Sequence, residues 1–191
     1  MKKNLITAFL MTIATTILMG LMYPLVITGL AQVLFKDKAN GQIIQRNGEA
    51  IGSRIIAQPF SLPRYFHPRP SNAGNGYDAA NSGGTNYAST NQKLIDRVRG
   101  DVATLHQENP SEPVPVDLLT TSASGLDPDI SPAAAEFQIP RIARERGISE
   151  SSLRDLVQKY IVPRNLGLLG EPRVNVLELN MALDEMTSRR R

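Results

Sequence analysis

Hydrophobic positions are concentrated at the start of the chain. From Asn4 to Phe35 no side chain is charged; Lys2 and Lys3 precede the run, and Lys36, Asp37 and Lys38 end it. A helix needs roughly 20 apolar residues to cross a hydrocarbon core about 30 Å thick. Residues 1–35 are therefore predicted to form a transmembrane helix with a short stem. A cleaved signal peptide is the competing reading, because Gly29-Leu30-Ala31 has the small-x-small form of a cleavage site. The apolar run far exceeds a typical h-region of about 7–15 residues, which favours a retained anchor. Lysines flank both ends, and a short positive tail ahead of a long domain reads as a signal anchor. The expected topology is single-pass, with the N-terminus in the cytoplasm and residues 36–191 outside.

A second pattern lies inside this helix. Ala8, Thr12, Thr16, Gly20, Pro24 and Thr28 recur at every fourth position. Four residues advance about 400° around a helix, so the stripe is slanted. Small residues admit a neighbouring helix closely, and threonine can bond across the contact. Thr12, Thr16, Gly20 and Pro24 are the expected partner-helix interface. Pro24 lacks a backbone donor and is expected to kink the helix.

Beyond the anchor the pattern changes repeatedly. Gln42–Gln45 and Ile51–Gln58 read as strands joined at Asn47-Gly48, a strong hairpin signal. No helical or strand period survives from Pro59 to Asn91, which holds Pro59, Pro63, Pro68 and Pro70 together with Gly74, Gly76, Gly83 and Gly84. Phe60, Tyr65, Phe66, Tyr77 and Tyr87 also fall here, half of the chain's five Phe and five Tyr. Disordered segments are poor in aromatics, so this is predicted to be an ordered loop, suited either to binding or to closing the domain's own core. Leu94, Val98, Val102 and Leu105 predict a helix over 92–107, stopped by Asn109-Pro110. Pro113–Thr121 reads as a buried strand. Ser131 and Pro132 suit N-cap and first-turn positions of a helix over 133–139, which Pro140 should break or restart before Gly147. Ser149 starts another helix, ending at Pro163, with Leu153, Leu156, Val157, Tyr160 and Ile161 on one face. Arg173-Val174 is extended, and Asn175 with Glu178 resembles a capping box ahead of a last helix carrying Val176, Leu179, Leu183 and Met186. The fold class is α+β: a single N-terminal transmembrane helix, then one mixed extracytoplasmic domain (36–191) with a hairpin, a long ordered loop and several helices.

Composition narrows the chemistry. With no cysteine there is no disulfide, thiolate nucleophile or cysteine-ligated metal. The net charge is +3, and Lys2 and Lys3 belong to the anchor. The outer domain is nearly neutral, without the basic footprint of a nucleic-acid binder. Arg189-Arg190-Arg191 is the one cationic run, read as a solvated end. The two histidines, His67 and His106, lack zinc-site spacing, and His106 falls on the polar face of its helix. Asp127 and Asp129 do not make a calcium loop, so no metal site is expected. Ser124, Asp127 and His67 could form a triad on paper, but no G-x-S-x-G elbow supports it. Ser82-Gly83-Gly84 shares its core with the signature of ABC transporters, but no G-x-x-x-x-G-K-[ST] accompanies it, and a plain glycine turn is the simpler reading.

In order, the chain carries Tyr23-Pro24-Leu25, Gly52-Ser53 with Ile56-Ala57-Gln58, and Tyr65-Phe66-His67-Pro68-Arg69-Pro70-Ser71. Ser82-Gly83-Gly84-Thr85-Asn86, Ser122 to Pro128, Gln138 to Ala143, and Val174 to Asn180 follow. On these segments, spread over nearly the whole chain, it resembles the C subunits (KdpC) of the Kdp potassium-transporting ATPase. The resemblance implies a non-catalytic accessory subunit of a high-affinity ATP-driven potassium uptake complex in the bacterial inner membrane. Its partners would be a channel-like potassium-binding subunit, a P-type ATPase phosphorylated on aspartate and a small single-helix subunit, besides membrane lipid; no nucleic acid is implied. ATP and potassium would be used by the complex, with no cofactor held firmly by this chain. The family role is assembly plus a catalytic-chaperone effect that raises ATP affinity of the ATPase subunit. An outer domain cannot hold cytoplasmic ATP, so topology makes that effect allosteric; if nucleotide is touched directly, Gln138 is the candidate. Tyr65, Phe66, His67, Arg69, Ser82, Gly83, Gly84 and Asn86 form the candidate outer interface. The alternative is an autonomous membrane-anchored binding or hydrolytic domain.

Overall fold

The computed structural model describes residues 1–188 and divides into two compact units, Met1–Ile51 and Gly52 onward. The first unit begins with one helical column: α1 (Lys2–Thr15), a π-helical stretch (Thr16–Met22) and α2 (Tyr23–Leu34). Among the described residues it is the one helix long and apolar enough to cross a membrane, and none of its most apolar window is buried by the chain. In place of a simple kink at Pro24, the hydrogen-bond register widens just ahead of it, with the Tyr23 N–H reaching back to the Leu18 carbonyl. Proline brings a ring and no donor, and the wider turn gives that ring room. The helix stops at Phe35, where φ is −137° and ψ is 44°. One turn follows, α3 (Lys36–Ala39).

The hairpin pairs β1 (Ile43–Arg46) with β2 (Glu49–Ser53) across Asn47 (φ 55°) and Gly48 (φ 85°), both left-handed as the sequence demands. The return strand is earlier and shorter than Ile51–Gln58. Ser53 and Ile56 bridge to each other, and the Ser53 hydroxyl takes the Ile55 N–H, so the chain turns away.

In the second unit, α4 (Gln92–Glu108), α5 (Pro132–Arg146), α6 (Glu150–Tyr160) and α7 (Val176–Ser188) accompany a small antiparallel sheet. Its strands β3 (Asp129–Ile130), β4 (Ile161–Val162) and β5 (Arg173–Asn175) lie in the order β3-β5-β4. Ile130 and Ile161 both pair with the fully buried Val174, so apolar residues meet at mid-sheet. Ile139 and Ile142 of α5, Leu153 and Val157 of α6, and Leu179 and Leu183 of α7 close the core around it. Asn91, Ser131 and Ser149 each cap a helix with the side chain, and Asn175 Oδ1 accepts the Glu178 N–H to start α7.

Three expectations fail for stated reasons. Pro113–Thr121 is not a strand; it carries a 3₁₀ turn over Val116–Leu118. Its prolines cannot donate to a ladder, Val116 is 70% exposed and Leu118 6%, and Asp117 instead bonds both the N–H and the hydroxyl of Ser131. Pro140 does not break α5, which runs unbroken to Gly147, because Gln138, Ile139, Arg141 and Ile142 are all buried across the proline. Packing of that face outweighs one lost hydrogen bond. Ile161 leaves its helix to enter β4, where its partner is Val174. The segment from 57 to 91 contains no helix or strand, as its composition implies. The Arg189-Arg190-Arg191 run lies outside the described residues.

Candidate functional site

A buried irregular segment must find a partner for every backbone polar group. Around Tyr65-Phe66-His67 those partners are side chains, apart from the Tyr65 N–H, which donates to the Leu62 carbonyl at 3.0 Å. Phe66 is fully buried; its N–H donates to Asn180 Oδ1 (2.8 Å), and its carbonyl accepts from Asn180 Nδ2 (2.9 Å). His67 repeats the arrangement with Gln138: its N–H donates to Oε1 (2.8 Å) and its carbonyl accepts from Nε2 (3.2 Å). Two amides, one on α7 and one on α5, thus stand in for a neighbouring strand. The Gln138 amide is otherwise taken by the Ala134 carbonyl and Arg141 Nη2.

Two arginines of α5 hold the preceding carbonyls. Arg141 donates to Pro63 and Tyr65 through Nη1 and pairs through Nε with Glu108 at 2.9 Å. Arg146 donates to the Arg64 carbonyl (2.7 Å), pairs with Asp184 (2.8 Å) and lies 4.9 Å from the Tyr65 ring centroid. The Tyr65 hydroxyl closes the group by donating to Asp184 at 3.0 Å. Burial pulls the Arg141 guanidinium below its ordinary pKa, and Glu108 opposes that pull.

A second layer begins at Arg69, which pairs with Asp127 at 2.8 Å. Ser71 donates to the Gly125 carbonyl and accepts from Tyr77 N–H, while the Tyr77 hydroxyl donates to the Arg69 carbonyl. Burial pushes the Tyr77 phenol up to about 12. Ser82-Gly83-Gly84 is not a glycine turn. Gly83 N–H and the Ser82 hydroxyl both donate to the Ser124 carbonyl, and the strap lies flat on residues 122–125. A Cβ on Gly84 would stand 3.0 Å from the Ala123 oxygen, and one on Gly125 (φ +68°) 2.6 Å from the Gly83 oxygen. Close backbone approach is why small residues occupy both sides.

Of the candidate outer residues, Ser82 and Asn86 are exposed, Tyr65, His67, Arg69, Gly83 and Gly84 half-buried, and Phe66 lies wholly in the core. The Phe66 ring therefore offers no surface. Gln138 is 2% exposed, with its amide groups taken by the protein. Of the anchor stripe, Thr12 lies in α1, Thr16 and Gly20 in the π-helical stretch and Pro24 in α2. A turn wider than four residues rotates a four-residue step backwards, which offsets the slant of the stripe. The Thr12 hydroxyl donates to the Ala8 carbonyl of its own helix. Ser124, Asp127 and His67 are satisfied separately, by Leu126 N–H, by Arg69 and by the Leu62 carbonyl. Among the described residues no group of three His, Cys, Asp or Glu converges as a metal site. A cavity of about 510 Å³ borders the loop, lined by Phe60, His67, Tyr77, Arg97, Leu105 and Leu118 among others.

Sequence reasoning passed over Asn180, Arg141 and Arg146 as functional positions. The available signal was a polar residue on an apolar face: Asn180 stands one helical turn from Val176 and from Leu183, and Arg141 one turn from Phe137.

The fold and site define a class: a compact α+β domain following one helix of membrane-spanning length, with the buried Gln138, Arg141 and Asn180 side chains engaged in holding a loop. Comparison with known proteins names the family. The family of the K+-transporting ATPase c chain, KdpC, matches residues 5–185. The potassium-transporting ATPase KdpC subunit of Koribacter versatilis is 68% identical over 184 residues, covering 96% of this chain and 95% of that protein. Those of Acidobacterium capsulatum (54%; 96% and 99% covered) and Rhodopseudomonas palustris (53%; 96% and 98%) are also similar. The chain belongs to the KdpC family.

Two outcomes test the clamp. Gln138→Ala strands the His67 N–H and carbonyl, each worth about 1–3 kcal/mol when left unpaired. Denaturant unfolding of the detergent-solubilised chain should show a loss of about 2–4 kcal/mol. The His67 imidazole is held below its ordinary pKa, first by burial and then by the nearby Arg141 charge. The unfolded chain therefore binds that proton at higher pH than the folded chain. The contribution is fully present above the unfolded value of about 6.5 and is lost as pH falls from there through the folded value. His67→Gln should flatten that limb of the stability profile measured by thermal unfolding.

Proposed function

We propose that this chain is a non-catalytic accessory subunit of an ATP-driven potassium uptake complex, serving assembly and stabilisation. Its partners are a channel-like potassium-binding subunit, a P-type ATPase subunit and a small single-helix subunit. The observation that carries this reading is the unburied apolar helix Lys2–Leu34 in a chain of the KdpC family. A helix that its own chain leaves bare is covered by lipid and by other helices. Thr12, Thr16, Gly20 and Pro24 form the packing face beside the channel-like subunit, where Gly20 lets the partner backbone approach. The N-terminus lies in the cytoplasm and the domain outside the inner membrane. Residues around the clamped loop, with Arg69, Ser82, Gly83, Gly84 and Asn86 along the strap, border the outer mouth of that subunit.

ATP and potassium belong to the complex, and this chain holds no cofactor of its own. A rise in ATP affinity then follows from contacts that differ between pump states. Gln138 serves the loop and not a nucleotide, since its amide is taken by His67 and Ala134.

Gly20→Leu fills the packing face and should sharply lower co-purification of the other subunits; unchanged recovery would count against the interface. Topology is separately testable because the chain has no cysteine. Gln107→Cys, on the exposed face of α4, should react with a membrane-impermeant maleimide in intact spheroplasts. Labelling only after lysis would place the domain inside.

A further inference from the structure

Asparagine followed by glycine occurs three times in the chain, at Asn40-Gly41, Asn47-Gly48 and Asn75-Gly76. The pair is chemically reactive. The glycine nitrogen can close a five-membered ring onto the asparagine side-chain carbonyl carbon, and glycine has no side chain to block the approach. The step needs three freedoms. The asparagine amide must be released from other partners, the glycine N–H must give up its proton, and the backbone between them must rotate. A hydrogen bond donated by the N–H favours the protonated form and opposes the second of these.

The fold withholds these freedoms at two of the pairs. Asn40 Nδ2 donates to the Lys36 carbonyl at 2.6 Å, and the Asn40 amide exchanges bonds with Gln32 at 3.3 Å. The Gly41 N–H donates to the Lys38 carbonyl at 3.1 Å. The Gly76 N–H donates to the Ala73 carbonyl at 2.8 Å. At the tip of the β1–β2 hairpin neither lock is present. Asn47 and Gly48 are exposed, and among the described residues neither the Asn47 amide nor the Gly48 N–H has a hydrogen-bond partner. A Cβ on Gly48 would meet no atom within 4 Å. Rotation is available as well, because β1 and β2 form a sheet of two strands with mostly exposed residues. A lone two-stranded hairpin is marginal in water, so its turn opens locally far more readily than the core.

We propose that Asn47 is a site of spontaneous covalent modification, deamidation through a cyclic imide with water as the only co-reactant. The Gly48 nitrogen loses its proton to hydroxide and bonds to Asn47 Cγ, and the side-chain nitrogen leaves as ammonia. Water then opens the ring. Cleavage of the bond to Cγ gives aspartate, and cleavage of the bond to the backbone carbonyl carbon gives isoaspartate. The balance is one water gained and one ammonia lost. Either product adds a negative charge to the turn. The isoaspartyl form also routes the main chain through the side chain, one methylene longer, and the two-residue turn that fixes the hairpin register is lost.

The test uses the full chain in native membranes, incubated in heavy-oxygen water near neutral pH and then digested in ordinary water. Heavy oxygen thus marks only conversion that occurred in the folded protein. Trypsin cleaves after Lys38, Arg46, Arg54, Arg64 and Lys93, so the three pairs fall in separate peptides. Fragment mass spectra should place about fivefold or more label at Asn47 than at Asn40 or Asn75, as a mixture of aspartyl and isoaspartyl products. Asn47→Gln, whose side chain is too long for the five-membered ring, should remove the label from its peptide. In the denatured chain the three pairs should convert at similar rates. Absence of label at Asn47, aspartate without isoaspartate, or equal label at the three pairs would overturn the proposal. So would the same preference for Asn47 after denaturation, because the fold would then play no part in it.

Discussion

The backbone polar groups of Phe66 and His67 and the carbonyl of Tyr65 have no strand or helix to pair with, and side chains of α5 and α7 satisfy them. Asn180 and Gln138 supply paired donors and acceptors to Phe66 and His67. Arg141 and Arg146 take the carbonyls of residues 63 to 65. With its backbone satisfied, the loop can insert the Phe66 ring fully into the core between α5 and α7. Neither contribution stands without the other. A buried ring with orphaned amides would lose much of its gain to desolvation, and clamped amides without the ring would leave a void in a close-packed interior.

The same polar economy bears on function. Gln138, Asn180, Arg141 and Arg146 are the buried, chemically capable side chains nearest the loop, and all are engaged with backbone or with one another. Groups committed in this way hold the geometry of the loop. The domain's exposed features include the strap around Ser82 and Asn86 and the leucines of the turn at 166–169.

The first unit obeys a different solvent rule. A helix in lipid must satisfy its backbone internally, and the column from Lys2 to Leu34 does so through a change of register at Thr16–Met22. The proline that prompts the change is read directly from the sequence; the way the helix absorbs it is not, because a kink and a widened turn both answer the same missing donor.

Local signals carried far in this chain. The charge-free run to Phe35, the Asn47-Gly48 turn, the caps at Ser131, Ser149 and Asn175, and the irregularity of 59–91 act through neighbours in sequence, so they can be read there. The resemblance to KdpC chains rests on residues that can likewise be read in order. What tertiary structure decided were the contacts between distant segments. Val114, Val116 and Leu118 have a strand's spacing, yet Asp117 bonds Ser131, the N-cap of α5, and the segment forms a 3₁₀ bend. Pro140 reads as a helix break, yet burial on both sides of it keeps α5 whole. Gln138 reads as an available amide until His67, 71 residues away, occupies it. Propensity and capping are short-range energies that a sequence displays, whereas the pairing of a buried polar atom depends on which remote atom the fold brings within 3 Å, and only the folded chain determines that.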